Sequence, residues 1–461
     1  MRFMLCQPSV LCAREHITEC CECAIHPSLL LSASIVVRFY DTLYCSVKIL
    51  YVSQYFPPEM GAPAARAAEL AHHWSKAGHD VSVLTGFPNH PTGVVPEEWY
   101  PRLRRLIYHE RAAGADVYRT WLWPLPNRKS HERMRNYASF CISAALRGLT
   151  LPRPDVIIAT SPQLLVGISG WWLSFSRQIP FVFEVRDLWP ESLAAVGVGD
   201  PESLLHETLA GIARFLYDRA ERIVVVSPAF KDRLIHDWRV PAHRIAVIEN
   251  GVEPDLFSPA SPLETAVHRT QLQAEGKFLV SYIGTMGNAH GLETLLNAAA
   301  QLQQTAPDVL FLLVGEGAEK RRIQDLAASR NLINVRFLGQ QPRERIPLFI
   351  SASDACVVLL KNTDVFKTVI PTKMLEFMSC ARPVILGVEG QARQILETAA
   401  AGIAIEPENS AALASAIQTL QHDLPLRCQM GQRGRNYILE NFSRATTADR
   451  YIKVLEALTK T

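Results

Sequence analysis

From Lys48 to its end, the chain alternates between short apolar runs and longer segments of mixed character. Runs such as KILYVS, DVSVLTG and DVIIATSP are separated by stretches with apolar residues three and four positions apart. Such runs are typical of parallel strands buried on both faces, and the stretches between them are typical of amphipathic helices. The pattern predicts an α/β protein built from strand–helix–strand units.

The alternation is interrupted between about residues 259 and 276. The segment ASPLETAVHRTQLQAEGK lacks an apolar pattern, and we interpret it as a linker. The pattern then predicts a first doubly wound domain over residues 47–258, a second over 277–435 and a closing helix over 436–461. Both domains fall within the usual size range.

The first 46 residues differ from the rest in composition. Their cysteine spacing matches no common zinc site, and the apolar run LLLSASIVV is too short and wrongly flanked for a secretory signal. Val47 directly precedes the first strand, and valine is the residue that an internal GTG start codon would encode. We therefore interpret residues 1–46 as a non-native or disordered extension. This stretch holds six of the ten cysteines: Cys6, Cys12, Cys20, Cys21, Cys23 and Cys45.

Charge and hydropathy argue against several classes of protein. The formal net charge of +2 is too small to indicate a nucleic-acid partner. No run reaches the roughly 18–20 apolar residues that a helix needs to cross a bilayer. No GxGxxG follows the first strand of either domain, which argues against a dinucleotide-dependent dehydrogenase.

Two basic groups are interleaved with apolar residues before the third strand of the first domain. They suit docking to an anionic membrane surface, or they form a solvated helix face that leads into a core helix. The sequence leaves both interpretations open. The residues are Arg102, Arg104, Arg105 and Arg111, then Arg128, Lys129, Arg133 and Arg135.

Candidate binding residues of the first domain lie in loops at the carboxyl ends of predicted strands, where doubly wound folds bind ligands. Gly61 and Arg66 follow the first strand, and Asn89 follows the second. Four charges follow the core strand VFEV, which is costly unless they bind a ligand or form an internal ion-pair network. These charges are Glu184, Arg186, Asp187 and Glu191.

The stretch from Phe366 to Gly387, FKTVIPTKMLEFMSCARPVILG, predicts a loop, a helix and a strand. A helix N-terminus with Lys373 in its first turn suits a diphosphate, and Glu376 one turn later can accept hydrogen bonds from sugar or ribose hydroxyls. The alternative is an ordinary capped helix with two solvated charges.

Seven segments follow one another in order along the chain: YFPPEMGAPAAR, GFPNHPTG, FEVRDLWPES, VIENGVEPDLF, YIGTMGNAHGLETLL, LLVGEG and IPTKMLEFMSCARPVI. This series resembles the GT-B-fold glycosyltransferases of family 4, in particular bacterial surface-polysaccharide enzymes similar to the L-fucosamine and colanic-acid transferases. The resemblance covers nearly everything from Lys48 onward. It implies two Rossmann-like domains facing a cleft, a C-terminal helix that crosses back to the first domain, a donor site on the second domain and an acceptor site on the first.

The resemblance implies retaining transfer from a nucleotide sugar, UDP-linked and with an N-acetylated deoxyhexosamine among the candidate sugars. The implied acceptor is a polyprenyl-diphosphate-linked or growing surface polysaccharide at the inner face of the cytoplasmic membrane. Neither a metal nor any other cofactor is expected, because the nucleotide sugar is a co-substrate. Two alternatives stay open: a UDP-sugar 2-epimerase of the same fold, and a non-catalytic nucleotide-sugar-binding partner.

Residue roles also follow from the resemblance. Glu376 matches the second glutamate of the E-x7-E motif, which holds the ribose, whereas Thr368 occupies the position of the first, which meets the donor sugar. Thr285 and His290 stand where relatives carry an arginine and a lysine that bind the diphosphate. We expect Lys373 to replace those cations.

The remaining expected roles complete the site. The amides around Thr372 and the side chain of Lys367 would assist Lys373, and His290 would bind a phosphate or sugar hydroxyl or be a turn residue. Asp187 would anchor the reacting sugar with Arg186 as its orienting partner. Donor contacts are also expected at Gly284, Thr285, Gly287 and Gly339, and acceptor contacts at Gly61, Arg66, Asn89 and Glu191.

Overall fold

The structure, a computed structural model, describes residues 46–59, 61–90, 92–126, 130–191 and 203–459. Apart from Ser46, the predicted extension over residues 1–46 lies outside these ranges, as do Arg128 and Lys129 of the second basic group. From Val47 onward the chain forms one unit that holds two sheets.

The first sheet, as far as the chain is described, has eight strands in the order β3-β4-β2-β1-β5-β6-β7-β8. Only β3 runs antiparallel to its neighbour, and the central strands are apolar and buried on both faces. The strands are β1 (Lys48–Val52), β2 (Asp80–Gly86), β3 (Ile107–Ala112), β4 (Ala115–Thr120), β5 (Val156–Thr160), β6 (Phe181–Val185), β7 (Arg222–Val225) and β8 (Ile245–Val247). The accompanying helices are α1 (Ala62–Lys76), α2 (Tyr100–Leu103), α3 (Ser130–Gly148), α4 (Leu164–Arg177), α5 (Leu204–Arg219) and α6 (Pro228–His236).

The second sheet is parallel throughout its described strands, in the order β11-β10-β9-β12-β13-β14. Its strands are β9 (Phe278–Ile283), β10 (Val309–Val314), β11 (Val335–Leu338), β12 (Ala355–Leu359), β13 (Val384–Gly387) and β14 (Gly402–Ala404). The helices are α7 (Pro262–Gln271), α8 (Glu293–Thr305), α9 (Lys320–Ser329), α10 (Ile346–Ala352), α11 (Thr372–Ser379), α12 (Gln391–Ala399), α13 (Ser410–His422), α14 (Leu424–Asn441) and α15 (Arg444–Thr459).

The last helix, α15, returns to the first domain and packs on α1. The Trp74 indole donates a hydrogen bond to the carbonyl oxygen of Ala448 at 3.2 Å, and its ring meets Tyr451 edge-on with centroids 5.2 Å apart. Tyr451 and Leu455 belong to the same buried cluster as Ile49 of β1. The predicted fold class, two doubly wound domains with a C-terminal helix that crosses back, is confirmed.

Two segments differ from the sequence-based expectation. The interval 259–276 contains α7, which starts with a reciprocal capping box between Ser261 and Glu264 and packs against α10. Its weak apolar pattern reflects a helix with little buried surface. The first basic group is divided between elements: Arg102 lies in the short helix α2, and Arg111 lies on β3 at the sheet edge, where β3 pairs antiparallel with β4.

Each sheet has a point where the strand order reverses, and this is where open α/β sheets bind ligands. The order reverses between β1 and β5 in the first sheet and between β9 and β12 in the second. Within the described ranges, no helix combines the length and apolar character needed to cross a membrane.

Candidate active site

The ammonium of Lys373 lies at the carboxyl end of β9, beside the reversal point of the second sheet. Its Nζ donates a hydrogen bond to the Tyr282 hydroxyl at 3.0 Å and lies 4.3 Å from the centre of that ring. Gly284 leaves room for it: the residue has φ +143°, and a Cβ there would lie 2.8 Å from Nζ. Any larger residue at position 284 would displace the ammonium.

Lys373 and the N-terminus of α11 form an electropositive point. Pro371 occupies the N-cap position and no side chain caps the helix amides, so the first turn that starts at Thr372 keeps N–H groups available for a ligand. Within the described residues no carboxylate lies within 4.0 Å of Nζ. Burial lowers the pKa of Lys373 to about 7, and the charge of Glu376 opposes that shift.

His290 lies close to this ammonium as a neutral ring. Its Nδ1 is 3.3 Å from the carbonyl oxygen of Leu359, which can only accept, so Nδ1 carries the proton and Nε2 is left as an acceptor. Burial and the nearby Lys373 lower the pKa of His290 to about 3. The ring therefore cannot act as a cation here, and it suits a hydroxyl better than a phosphate oxygen.

Glu376 lies one turn after Lys373 and faces the first domain. Its Oε1 is 3.5 Å from Nη1 of Arg343, whose Nη2 contacts Glu69 of α1 at 2.6 Å. Burial raises the pKa of Glu376 to about 7, with Arg343 opposing the shift and Glu69 adding to it. The carboxylate predicted to hold the ribose is thus already shared with an arginine.

The structure contradicts two predicted donor contacts. Thr368 is buried, its hydroxyl donates to the carbonyl oxygen of Val365 at 2.6 Å, and its own carbonyl accepts from Ser227 of the first domain at 2.9 Å. This threonine is a turn residue whose hydroxyl proton is already used, so it has none to donate to a donor sugar. Lys367 is exposed and forms an ion pair with Asp364 at 2.8 Å, so it is not placed to assist Lys373 in binding a diphosphate.

The other predicted donor residues lie in loops at the carboxyl edge of the second sheet. Thr285 is exposed, and its carbonyl accepts from the Tyr282 hydroxyl at 2.6 Å. Gly287 lines a polar cavity of about 330 Å³ together with Asn288. Gly339 follows β11, and a Cβ there would lie 3.3 Å from Oε1 of Glu316.

In the first domain, Arg66 is a structural residue, which corrects its predicted acceptor role. All five of its N–H groups have acceptors: Nε and Nη2 contact Glu184 at 3.1 and 2.8 Å, and the other bonds go to the carbonyls of Ile248 and Glu249 and to Asn250. Burial alone would raise the pKa of Glu184, but Arg66 and Arg186 outweigh it and lower the pKa. For this pair, the ion-pair interpretation is correct.

Arg186 and Asp187 follow β6, and both of their backbone amides donate to the Ser161 hydroxyl, at 2.7 and 3.3 Å. No salt bridge joins the two side chains in the described structure, so the predicted role of Arg186 as the orienting partner of Asp187 is not supported by a contact. Burial raises the pKa of Asp187 to about 6, and Arg186 opposes the shift.

The remaining predicted acceptor residues occupy separate places. Gly61, with φ +136°, starts α1, and the amide of Asn89 donates to Glu59 at 2.8 Å in the loop after β2. Glu191 accepts from the Trp238 indole at 3.2 Å and lines a cavity of about 300 Å³ with Arg214. Residues 192–202 after it lie outside the described ranges.

Sequence reasoning missed the residues at the reversal point of the first sheet. Tyr55, in the loop after β1, accepts a hydrogen bond at 2.9 Å from Gln163, in the loop after β5, and its ring meets His90 with centroids 4.9 Å apart. Glu59 fixes the same loops because its oxygens accept from three backbone amides. The position of Tyr55 just after the first strand was the available signal.

Comparison with protein families gives two matches in the same order as the domains. Residues 61–251 match the glycosyl transferase 4-like domain, and residues 264–437 match group 1 of the glycosyl transferases. The chain is 23% identical over 380 residues to a putative colanic acid biosynthesis glycosyl transferase, WcaI of Escherichia coli K12, covering 81% of this chain and 91% of that protein. It is also 23% identical over 310 residues to WbjE of Pseudomonas aeruginosa, a probable glycosyltransferase, covering 66% and 75%.

Solved structures share the fold. Sucrose-phosphate synthase from Thermosynechococcus elongatus superposes with a TM-score of 0.72 at 23% identity, covering 89% of this chain and 98% of the other. HepE from Anabaena in complex with UDP and glucose gives a TM-score of 0.66 at 21% identity, covering 89% and 100%. With both domain matches and this architecture, the chain belongs to the GT-B-fold glycosyltransferases of family 4, with enzymes of bacterial surface-polysaccharide synthesis among its relatives.

Proposed function

We propose that the protein is a retaining glycosyltransferase that moves a sugar from a UDP-sugar to a polyprenyl-diphosphate-linked or growing surface-polysaccharide acceptor. The observation that carries this proposal is the half-buried ammonium of Lys373, which lies against Gly284 at the uncapped start of α11 without a carboxylate partner within 4.0 Å in the described structure. A cation and a helix N-terminus at one point suit the diphosphate of a nucleotide sugar.

The reaction needs stabilisation of a departing diphosphate. As the bond between C1 of the sugar and the phosphate oxygen breaks, negative charge grows on that oxygen, and Lys373 with the amides of Thr372 and its neighbours would stabilise it. The acceptor hydroxyl forms its new bond to C1 on the same face, and its proton passes to the leaving phosphate. This route requires neither an enzyme nucleophile nor a metal.

Further groups would orient the two substrates. Glu376 would accept hydrogen bonds from the ribose hydroxyls once Arg343 releases one of the carboxylate oxygens. Nε2 of His290 would accept a hydrogen bond from a sugar hydroxyl. Asp187 at the carboxyl end of β6 would face the reacting sugar, and Tyr55 and Gln163 would border the acceptor. The UDP complexes of HepE support UDP as the nucleotide of the donor.

We also propose that the first domain docks on a membrane surface, where a lipid-linked acceptor resides. The adjacent helices α3 and α4 expose large apolar side chains: Ile142 and Leu146 are each 63% exposed and Phe175 is 65% exposed, beside Trp172 at 40%. Exposed apolar and aromatic residues on neighbouring helices are typical of an interfacial surface.

Co-sedimentation with vesicles tests the docking. Leu146→Ser and Phe175→Ser together should reduce binding to phosphatidylglycerol vesicles, whereas Leu263→Ser, an equally exposed apolar residue on α7, should not. Equal binding of the double variant and the wild type would exclude this surface.

The transfer itself is tested with a panel of UDP-sugars and a polyprenyl-diphosphate-linked sugar. UDP release that depends on the acceptor, with an unchanged anomeric configuration in the product by NMR and full activity in EDTA, is the expected result. An epimerised nucleotide sugar formed without acceptor would instead indicate the 2-epimerase. Tight UDP-sugar binding with no turnover for any acceptor would indicate a binding partner.

A further inference from the structure

Arg186 is a half-buried arginine, and two of its three guanidinium nitrogens are buried without a hydrogen-bond partner. Its Nε and Nη1 are both buried and neither donates a hydrogen bond, and among the described residues no other arginine has two such nitrogens. The backbone around it is fixed, because its amide and the next one both donate to Ser161. The guanidinium therefore stands at the carboxyl end of β6 with unused donors.

The neighbouring carboxylates do not neutralise it. Glu184 is occupied by two bonds from Arg66 and by one from the Tyr51 hydroxyl at 2.8 Å. No salt bridge within 4.0 Å connects Arg186 to Asp187 in the described structure. Burial, and then the charge of Arg66, lower the pKa of Arg186. Arg66 takes up the charge of Glu184, and Asp187 acts on Arg186 through its charge without a direct ion pair, so the guanidinium keeps unused donors.

An unpaired guanidinium with buried N–H groups is costly, because it loses hydration and gains nothing in return. Its planar fork matches the two oxygens of a carboxylate or phosphate. The position at the carboxyl end of β6 lies on the edge of the first sheet where ligands bind, on the acceptor side.

We propose that Arg186 anchors an oxyanion subsite on the first domain, which binds a phosphate or carboxylate group of a substrate. The proposal rests on the proposed transferase function. The oxyanion has two possible sources: the diphosphate of a lipid-linked acceptor, or the carboxylate of a uronic acid in the donor.

The first arm of the test uses protein saturated with UDP, so that the Lys373 site is filled. Calorimetric titration with geranyl diphosphate should give binding that Arg186→Gln weakens by at least about tenfold, the scale of losing a buried charge partner. Arg186→Lys should lose less, since it keeps the charge but not the fork. Arg233→Gln is the control and should bind like the wild type: this arginine of α6 is half-exposed and pairs with Asp237 just after the helix.

The second arm compares UDP-glucuronic acid with UDP-glucose. If the oxyanion belongs to the donor sugar, the wild type prefers UDP-glucuronic acid and Arg186→Gln removes the preference while binding UDP-glucose as before. Absence of an Arg186-dependent effect in both arms would overturn the subsite. Failure of UDP to bind at all would instead count against the proposed function.

A stability measurement separates a ligand role from a structural one. Because the side chain makes no hydrogen bond, Arg186→Met should leave the Tm of the unliganded protein unchanged or raise it, as removal of a buried unpaired charge does. A Tm well below that of the wild type would show that Arg186 supports the fold, and would overturn the proposal.

Discussion

Lys373 and Glu376 lie one turn apart on α11. In the proposed donor site, Lys373 must be protonated and Glu376 must be deprotonated to bind a nucleotide sugar. Lys373 is a cation below its pKa of about 7, and Glu376 is a carboxylate above its pKa of about 7. Around them lie Tyr282 and the neutral His290 on one side and Arg343, Glu69 and Arg444 on the other.

The affinity for UDP-glucose should therefore peak near pH 7 and fall on both sides by up to about tenfold per pH unit. Above pH 7 the ammonium must take up a proton to bind the diphosphate, and below pH 7 the carboxyl must lose one to accept from the ribose. Calorimetry from pH 5.5 to 9 measures this affinity for UDP-glucose. Both phosphates of UDP-glucose remain ionised over the whole range. This pH range extends about 1.5 units below and about 2 units above the two pKa values.

Two variants assign the limbs of this profile. Lys373→Met should remove the decline at high pH, and Glu376→Gln should remove the decline at low pH, each with weaker binding overall. A flat profile in the wild type would contradict the proposed assignment of both groups.

Turnover should depend on Lys373 far more than on its neighbour Lys367. Lys373→Ala should lower kcat by about two orders of magnitude or more, the scale of losing one electrostatic stabiliser of a leaving group. Lys367→Ala removes a cation six positions away that is exposed and paired with Asp364, and should be close to wild type. Equal effects of the two variants would show that Lys373 has no special contact with the diphosphate.

Residue type and position in the chain predicted where Lys373 and Glu376 lie, because a helix between two parallel strands begins on the carboxyl edge of the sheet. They did not predict which charges face inward. Arg66 and Thr368 carry suitable groups for a ligand, yet contacts with residues more than a hundred positions away, Glu184 and Ser227, turn them into structural residues. Such contacts leave no pattern in a single sequence.

At the scale of elements, the loops after β9 and β10 approach each other backbone to backbone. Gly315 has φ +139°, and a Cβ there would collide with the carbonyl oxygen of Gly284. The same contact fixes the loop that leaves room for the Lys373 ammonium. Stability and donor binding are therefore coupled at this point.

Gly315→Ala should cost about 1–3 kcal/mol of unfolding free energy, from the strained backbone and the clash. It should also weaken UDP-glucose binding, since the shift moves Gly284 towards the ammonium. Gly211→Ala in α5 is the control: no atom lies within 4 Å of the added Cβ, so the helix should gain about 0.5–1 kcal/mol. Denaturant unfolding measures both, and a neutral Gly315→Ala would refute the argument.

The strands were predictable because burial on both faces gives a continuous apolar run. Most helices were predictable because burial of one face gives apolar residues three and four positions apart. In α8, for example, Leu295, Ala299 and Leu302 recur at intervals of three and four positions and are all buried. Segments with little buried surface were not predictable: α7 has a single buried residue, His268, and β3 alternates between exposed and half-buried positions on an edge. Periodicity reports burial, and it is weak where burial is slight.

At the scale of the molecule, a charge cluster joins the two domains beside the nucleotide site. Glu69 of the first domain contacts Arg343 at 2.6 Å and Arg444 at 2.7 Å, and Arg343 also lies 3.5 Å from Glu376. Glu69 thus competes with Glu376 for one guanidinium. A residue of the first domain can in this way determine how much of the Glu376 carboxylate remains available for the proposed contact with ribose.

Removing the charge of Glu69 should therefore weaken donor binding at a distance. The measurement is made at about pH 8, where Glu376 is already ionised, because removing the Glu69 charge also lowers the pKa of Glu376. In Glu69→Gln, which keeps a hydrogen-bond acceptor for Arg444, Arg343 is free to pair fully with Glu376, and the affinity for UDP-glucose should fall about fivefold or more, the scale of a coupling of about 1 kcal/mol. Adding Arg343→Ala should restore much of the affinity, because the guanidinium that competes with the ribose for Glu376 is then removed. Glu397→Gln, which disrupts an exposed pair with Arg393, controls for net charge. If the effects of the two substitutions simply add, Arg343 does not transmit the change, and the domains communicate by another route.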